Sequence, residues 1–109
     1  MIVSEHNVQT ALTFLADDPH PLAVALYNVA KAENHRKEAY ARALLAASGT
    51  ADVRKATAEV SDEYMEAKQR EADAIFEVER FKSRKNAAEN LIEVWRTENA
   101  NIRAAERIR

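Results

Sequence analysis

Residues 51–107 form a stretch that contains no glycine and no proline: ADVRKATAEVSDEYMEAKQREADAIFEVERFKSRKNAAENLIEVWRTENANIRAAER. Glycine and proline are the residues that interrupt helices most strongly, so this composition predicts one continuous helix. At about 1.5 Å per residue the helix would be roughly 85 Å long. With a single glycine and two prolines among all 109 residues, the chain is expected to be all-α.

Apolar side chains recur at every seventh position of this stretch. One row consists of Val53, Val60, Ala67, Ala74, Phe81, Ala88, Trp95 and Ile102. The companion row, four residues further on, mixes apolar and polar residues: Thr57, Tyr64, Glu71, Val78, Lys85, Ile92, Asn99 and Glu106. Two such rows are typical of a coiled-coil seam, in which the polar members fix the register at some cost in stability.

Two further helices precede the long one. The first is expected over 5–16, with Ser4 as its N-cap, and it ends before a segment that contains both prolines. The second is expected over 21–48, ending at Gly49, the natural residue for a left-handed C-terminal cap. Thr50 can then cap the long helix. The short connection predicts an antiparallel hairpin within a single helical domain, with a break near Ser83 left open.

The helix over 21–48 is long enough to cover the long helix only as far as about Val78, so some thirty residues overhang. The N-terminal helix, at about twelve residues, can cover only part of this overhang. Because most oligomers of soluble proteins are twofold dimers, a second copy is the expected cover. The predicted interface residues are Phe81, Ala88, Ile92, Trp95, Asn99 and Ile102.

The net charge of −2 is unevenly distributed. Residues 1–79 carry 8 Lys/Arg and 14 Asp/Glu, whereas residues 80–109 carry 8 and 4. The basic segment predicts contact with a polyanion such as DNA through Arg80, Lys82, Arg84, Lys85, Arg96 and Arg103. The acidic body offers an alternative, binding to a basic protein partner through Glu59, Asp62, Glu63, Glu66, Glu71 and Asp73. In a third interpretation these charges are only solvated helix faces.

The sequence offers little for catalysis. It has no cysteine and too few glycines for a phosphate-binding loop. Within the predicted helices, the one histidine with a second possible metal ligand at helical spacing is His35, three residues before Glu38. We interpret this pair as neighbours on the surface of a helix. We therefore expect a protein that is not an enzyme and that has no metal, cofactor or small-molecule substrate. No apolar run reaches membrane-spanning length and no signal peptide is recognisable, so a soluble, intracellular protein is expected.

The chain combines three features: Gly49-Thr50, the Ala/Glu/Lys/Arg-rich helix that follows, and the C-terminal stretch Ile92-Glu93-Val94-Trp95-Arg96-Thr97-Glu98-Asn99-Ala100-Asn101-Ile102-Arg103-Ala104-Ala105. In these features it resembles small phage and prophage helical proteins. Such proteins are often encoded near genes for phage recombination and single-strand annealing. The resemblance covers residues 22–107, and its family-like positions are Trp95, Arg96, Asn99, Asn101 and Arg103. It implies the cytoplasm of a bacterial host and no catalytic residues.

Three hypotheses follow. The first is a homo-oligomeric accessory factor in phage DNA recombination or replication. The second is a host-directed inhibitor, such as an anti-CRISPR or other anti-defence protein, which binds a host protein. The third is a structural coiled-coil spacer, for which the apolar row matters and the surface charge does not.

Overall fold

The computed structural model describes residues 3–108 and has four helices and no strand in that range. They are α1 (Glu5–Ala16), α2 (Pro21–Ala46), α3 (Ala51–Glu59) and α4 (Asp62–Ile108). The all-α prediction with a helical hairpin is confirmed. The first helix has the predicted bounds, and the second ends two residues earlier than predicted.

The predicted caps form at two helix starts. The Ser4 hydroxyl accepts a hydrogen bond from the backbone N–H of Asn7 at 3.1 Å, and the Thr50 hydroxyl accepts one from Val53 at 3.3 Å. Each satisfies a donor that the first helical turn leaves without a partner. Gly49 has φ +112°, in the left-handed region that favours glycine, so it forms the turn between α2 and α3.

The prediction of one continuous helix over 51–107 is wrong, because the helix breaks at Val60 and Ser61. The Ser61 hydroxyl donates to the carbonyl of Ala58 at 2.7 Å and accepts from the N–H of Tyr64 at 3.4 Å. One side chain thus satisfies the end of α3 and caps the start of α4. Asp62 and Glu63 follow in the first turn of α4, where the helix dipole favours negative charge. The helix is continuous through Ser83.

The packing of the described residues falls into two compact units. The first contains the described parts of Met1–Pro21 and Arg80–Arg109, and the second is Leu22–Glu79. The first part of α4 therefore belongs to the second unit, and the rest of α4 belongs to the first unit.

In the second unit, α2 runs antiparallel to the first part of α4. Arg36 contacts Glu71 at 3.0 Å and Arg42 contacts Glu63 at 2.7 Å, so residue numbers fall along α4 as they rise along α2. The helices of this unit meet through small side chains: Ala39 on α2 and Ala58 on α3 are 0% exposed, and Ala67 on α4 is 1% exposed. Alanine lets helix backbones approach closely, so this seam is built largely from methyl groups.

The apolar spacing of α2 predicts a row on this side of the seam, formed by Leu22, Leu26, Val29, Glu33, Arg36, Tyr40, Ala43 and Ala47. Six members of that row are half-buried, whereas Leu26 and Glu33 are exposed, and the most buried positions of α2 are Ala25 and Ala39. The small alanines occupy the closest approach, where a larger side chain would hold the two helices apart.

The apolar rows on α4 are buried or half-buried from Tyr64 to Asn99, as the seven-residue spacing predicts. They fail at both ends, where Val53, Val60 and Ile102 are 53%, 69% and 51% exposed. The break at Ser61 changes the helical phase, so α3 buries Ala58 instead of the predicted valines.

In the first unit, α1 packs antiparallel to the last part of α4. The Val3 N–H donates to the Glu98 carboxylate at 2.9 Å near the start of α1, while Phe14 contacts Arg84 near its end. The core of this unit consists of Ala11, Phe14, Ala88 and Ile92, with Leu15, Phe81 and Leu91 packed against it. The N-terminal helix thus covers part of the predicted overhang.

Candidate binding surface

Two shallow depressions adjoin on the first unit and share Arg96. One lies along the edge of α1, and its lining includes Leu12, Leu15, Glu89, Ile92, Glu93 and Arg96. The other lies on the last turns of α4 and is lined by Trp95, Arg96, Asn99, Ile102, Arg103 and Glu106. We call these residues together the C-terminal surface. It combines an apolar floor with charged borders of both signs.

The structure divides the predicted interface residues into two groups. Ala88 and Ile92 are buried and Phe81 is half-buried, all within the core that α1 closes. These three positions are therefore used largely within the chain, because α1 supplies the cover that the sequence assigned to a second copy. Trp95 and Asn99 are half-buried and Ile102 is exposed.

Sequence reasoning missed the contribution of α1 to this surface. Leu12 is 44% exposed and Leu15 is half-buried, and both line the depression beside Ile92. The apolar spacing of α1 identified these leucines as one face of a helix, but it did not reveal which part of the chain that face would meet.

Two of the predicted basic contacts lie against aromatic rings. The Arg84 guanidinium carbon lies 4.3 Å from the centroid of the Phe14 ring, and that of Arg80 lies 4.6 Å from the ring of Phe81. Such cation–π contacts are favourable even at exposed sites. Arg84 thereby covers a core aromatic residue, a role that its charge alone did not indicate.

The other four predicted basic residues lie along α4. Lys85 lies 3.8 Å from Glu89 and Arg96 lies 3.2 Å from Glu93, both within α4. Arg103 donates from Nε to the carbonyl of Asn99 at 3.4 Å. Lys82 is exposed.

Folding also brings acidic residues from the N-terminal part of the chain into the same unit as the basic segment. The first unit as a whole has eight Lys/Arg and seven Asp/Glu, because α1 and the residues after it add Glu5, Asp17 and Asp18 to the four glutamates of residues 80–109. The large positive excess of the linear sequence is almost balanced in this unit. The net charge of this unit therefore contributes little to non-specific attraction of a polyanion.

The predicted acidic residues all belong to the second unit. Glu63 pairs with Arg42, Glu71 pairs with Arg36, and Asp73 accepts a hydrogen bond from Gln69 at 2.9 Å. Glu59, Asp62 and Glu66 are exposed. Three of the six are thus engaged by neighbouring side chains.

The Arg36–Glu71 pair across the second unit's seam is more buried than the Arg42–Glu63 pair. Nε of Arg36 donates to both carboxylate oxygens of Glu71, at 3.0 and 3.1 Å. This hydrogen bond, with a smaller contribution from one that Arg36 donates to Tyr64, raises the pKa of Arg36 above its ordinary value. Glu33, which is three residues from Arg36 on α2, pairs with Lys37 at 3.1 Å.

Within residues 3–108, no group of three His, Asp or Glu side chains is close enough to hold a metal ion. The Nε2 atom of His35 lies 3.5 Å from Nη1 of Arg70. None of the helices in the described part of the chain is both long and apolar enough to cross a membrane.

Comparisons of the chain with protein families, with curated proteins and with solved structures found no match.

Proposed function

We propose that this chain is a non-enzymatic helical binding protein that acts as a homodimer, joined through the C-terminal surface. The observation that carries the proposal is the apolar floor that α1 leaves open, from Leu12 at its edge to Ile102 beyond its reach. The absence of cysteine and the single glycine exclude a thiol nucleophile and a glycine-rich phosphate-binding loop.

The energetics favour burial of this floor. Completely burying a Leu or Ile side chain contributes about 1.5–3 kcal/mol relative to leaving it in water. Leu12 and Ile102 are each about half exposed, and Trp95 and Leu15 retain part of their surface. Burying the four together would stabilise a complex by several kcal/mol, before the entropy cost of association.

A second candidate is an accessory role in DNA transactions of a phage, in line with the resemblance of the C-terminal stretch. The observation that favours it is the position of Arg84. Its guanidinium is held over Phe14, and within residues 3–108 it makes no ion pair, so its N–H groups can donate to phosphate oxygens.

Replacing both Trp95 and Ile102 by alanine tests the proposal. The double variant loses the centre and the far end of the apolar floor, so we expect it to be monomeric at concentrations where the wild type is dimeric. Multi-angle light scattering measures the mass directly.

The matched control replaces Leu45 and Val60 by alanine. These side chains are 78% and 69% exposed and lie in the second unit, so this variant should keep the wild-type mass. A monomeric wild type, or a dimer that survives the loss of Trp95 and Ile102, rules out the proposal.

A further inference from the structure

We propose that the second copy docks antiparallel to the first along α4, with the twofold axis passing close to Trp95. This inference rests on the proposed self-association and adds its geometry. It follows from the order of charged residues on the C-terminal surface and the adjacent Lys85.

The charges along this surface are self-complementary when the helix is reversed. With the adjacent Lys85 included, their order is Lys85, Glu89, Glu93, Arg96, Arg103 and Glu106, which gives the signs plus, minus, minus, plus, plus, minus. The same order read backwards has the opposite sign at every position. A twofold axis perpendicular to α4 would therefore place each charge opposite a charge of the other sign.

Three pairs result from this symmetry, each formed twice in the dimer. Lys85 meets Glu106 of the second copy, Glu89 meets its Arg103, and Glu93 meets its Arg96. All three pairs are centred within one residue of Trp95. In a parallel dimer each of these residues would lie opposite its own copy, so that every contact would be between like charges, which disfavours that orientation.

The contacts within one chain leave these groups available. Lys85 and Glu89 are 45% and 51% exposed in a pair at 3.8 Å, and Arg96 and Glu93 are 67% and 69% exposed. Exposed pairs of this kind contribute little to stability, so exchanging or extending them across an interface costs little.

The apolar residues occupy the middle of the same surface. Trp95 lies at the axis, with Ile92 and Asn99 on either side, and Leu12 and Ile102 lie towards the ends. From Lys85 to Glu106 the row of charged residues extends about 32 Å along α4. Asn99, a polar residue on the apolar row, would favour one register over others.

Pulsed electron paramagnetic resonance distances between spin labels test the orientation, and the absence of native cysteine makes single-site labelling straightforward. Thr97→Cys and Ser83→Cys are suitable because both residues are exposed. They are 14 residues apart and so leave the helix on nearly the same side. In the proposed dimer the two copies of residue 97 are offset by about 5 Å along the helix axis of α4. The two copies of residue 83 are offset by about 37 Å along the same helix axis.

We expect the Ser83 label to give the longer distance, by roughly 15 Å or more. Equal distances would indicate a parallel dimer and would overturn this inference while leaving self-association intact. A wild-type protein that is monomeric by light scattering overturns both.

Charge exchange provides a second, independent measurement. E89R and R103E each place like charges opposite each other at two symmetry-related points, so each should weaken dimerisation by about tenfold. The double variant E89R/R103E restores opposite charges and should recover the wild-type dissociation constant. K55E, at an exposed position of α3, is the control. Single variants that dimerise as the wild type does, or a double variant as weak as the singles, overturn the antiparallel geometry.

Discussion

Phe14 is the residue on which the packing of α1 depends. Its ring is buried, the Arg84 guanidinium covers one face, and the His20 ring lies edge-on with centroids 4.8 Å apart. The sequence shows an aromatic residue in α1 and a cation in the basic segment, but it does not show that they meet. Their contact depends on the docking of α1, which local periodicity does not encode.

We expect Phe14→Ala to destabilise the first unit by about 3 kcal/mol, because a buried aromatic side chain is lost and its site does not collapse completely. Thermal unfolding followed by circular dichroism measures the effect. Phe14→Leu should retain most of the stability, and Leu45→Ala, at an exposed site, should change it little. An F14A protein that melts as the wild type does would contradict this account of the core.

Arg84 and Arg96 are both arginines of the basic segment, yet the structure gives them different expected effects on DNA binding. Arg96 is already paired with Glu93, whereas Arg84 makes no such pair among residues 3–108. We therefore expect R84Q to weaken DNA binding and to reduce the slope of log affinity against log salt by about one, and R96Q to have a smaller effect.

Fluorescence anisotropy of labelled single- and double-stranded DNA at several salt concentrations measures both quantities. Equal effects of the two substitutions would show that the ion pair at Arg96 does not decide which cation contacts phosphate. Failure of the wild type to bind at low salt would eliminate the DNA candidate.

Among the helices, the break between α3 and α4 shows what a periodic pattern can and cannot predict. The seven-residue row passes across Val60 without interruption, and from Tyr64 to Asn99 it identifies the buried side of α4 correctly. It fails at Ser61 because a cap is a local competition between a hydroxyl and the backbone, which leaves no trace in apolar spacing. The signal was present in Ser61 followed by Asp62 and Glu63, a typical helix start.

Ser61→Ala removes both hydrogen bonds of this hydroxyl, so we expect a loss of about 1 kcal/mol in the free energy of unfolding. Ser61→Asp keeps an acceptor for the N-terminus of α4 and should recover part of that loss. Urea unfolding monitored by circular dichroism distinguishes the two variants. A more stable S61A protein would mean that α3 and α4 are better joined than separated.

In the whole molecule, the charge that matters is the charge of each folded unit rather than of each stretch of sequence. Dividing the linear chain at residue 79 suggests a strongly basic end, but α1 brings carboxylates into that unit and leaves eight cations against seven anions.

The sequence was sufficient for the helical class, two caps and most of the α4 seam. It was insufficient for the partners of Arg84 and for the edge that Leu12 contributes, since both depend on contacts between distant segments.

The alanine seam of the second unit has a consequence for mutational tolerance. In most cores the harmful substitutions are those that shrink a side chain and leave a cavity. Here the closest contacts are already methyl groups at Ala39, Ala58 and Ala67, so nearly every substitution makes the side chain larger and forces the helices apart. Random variation should therefore be restricted at these small residues more than at the larger, more exposed apolar residues around them.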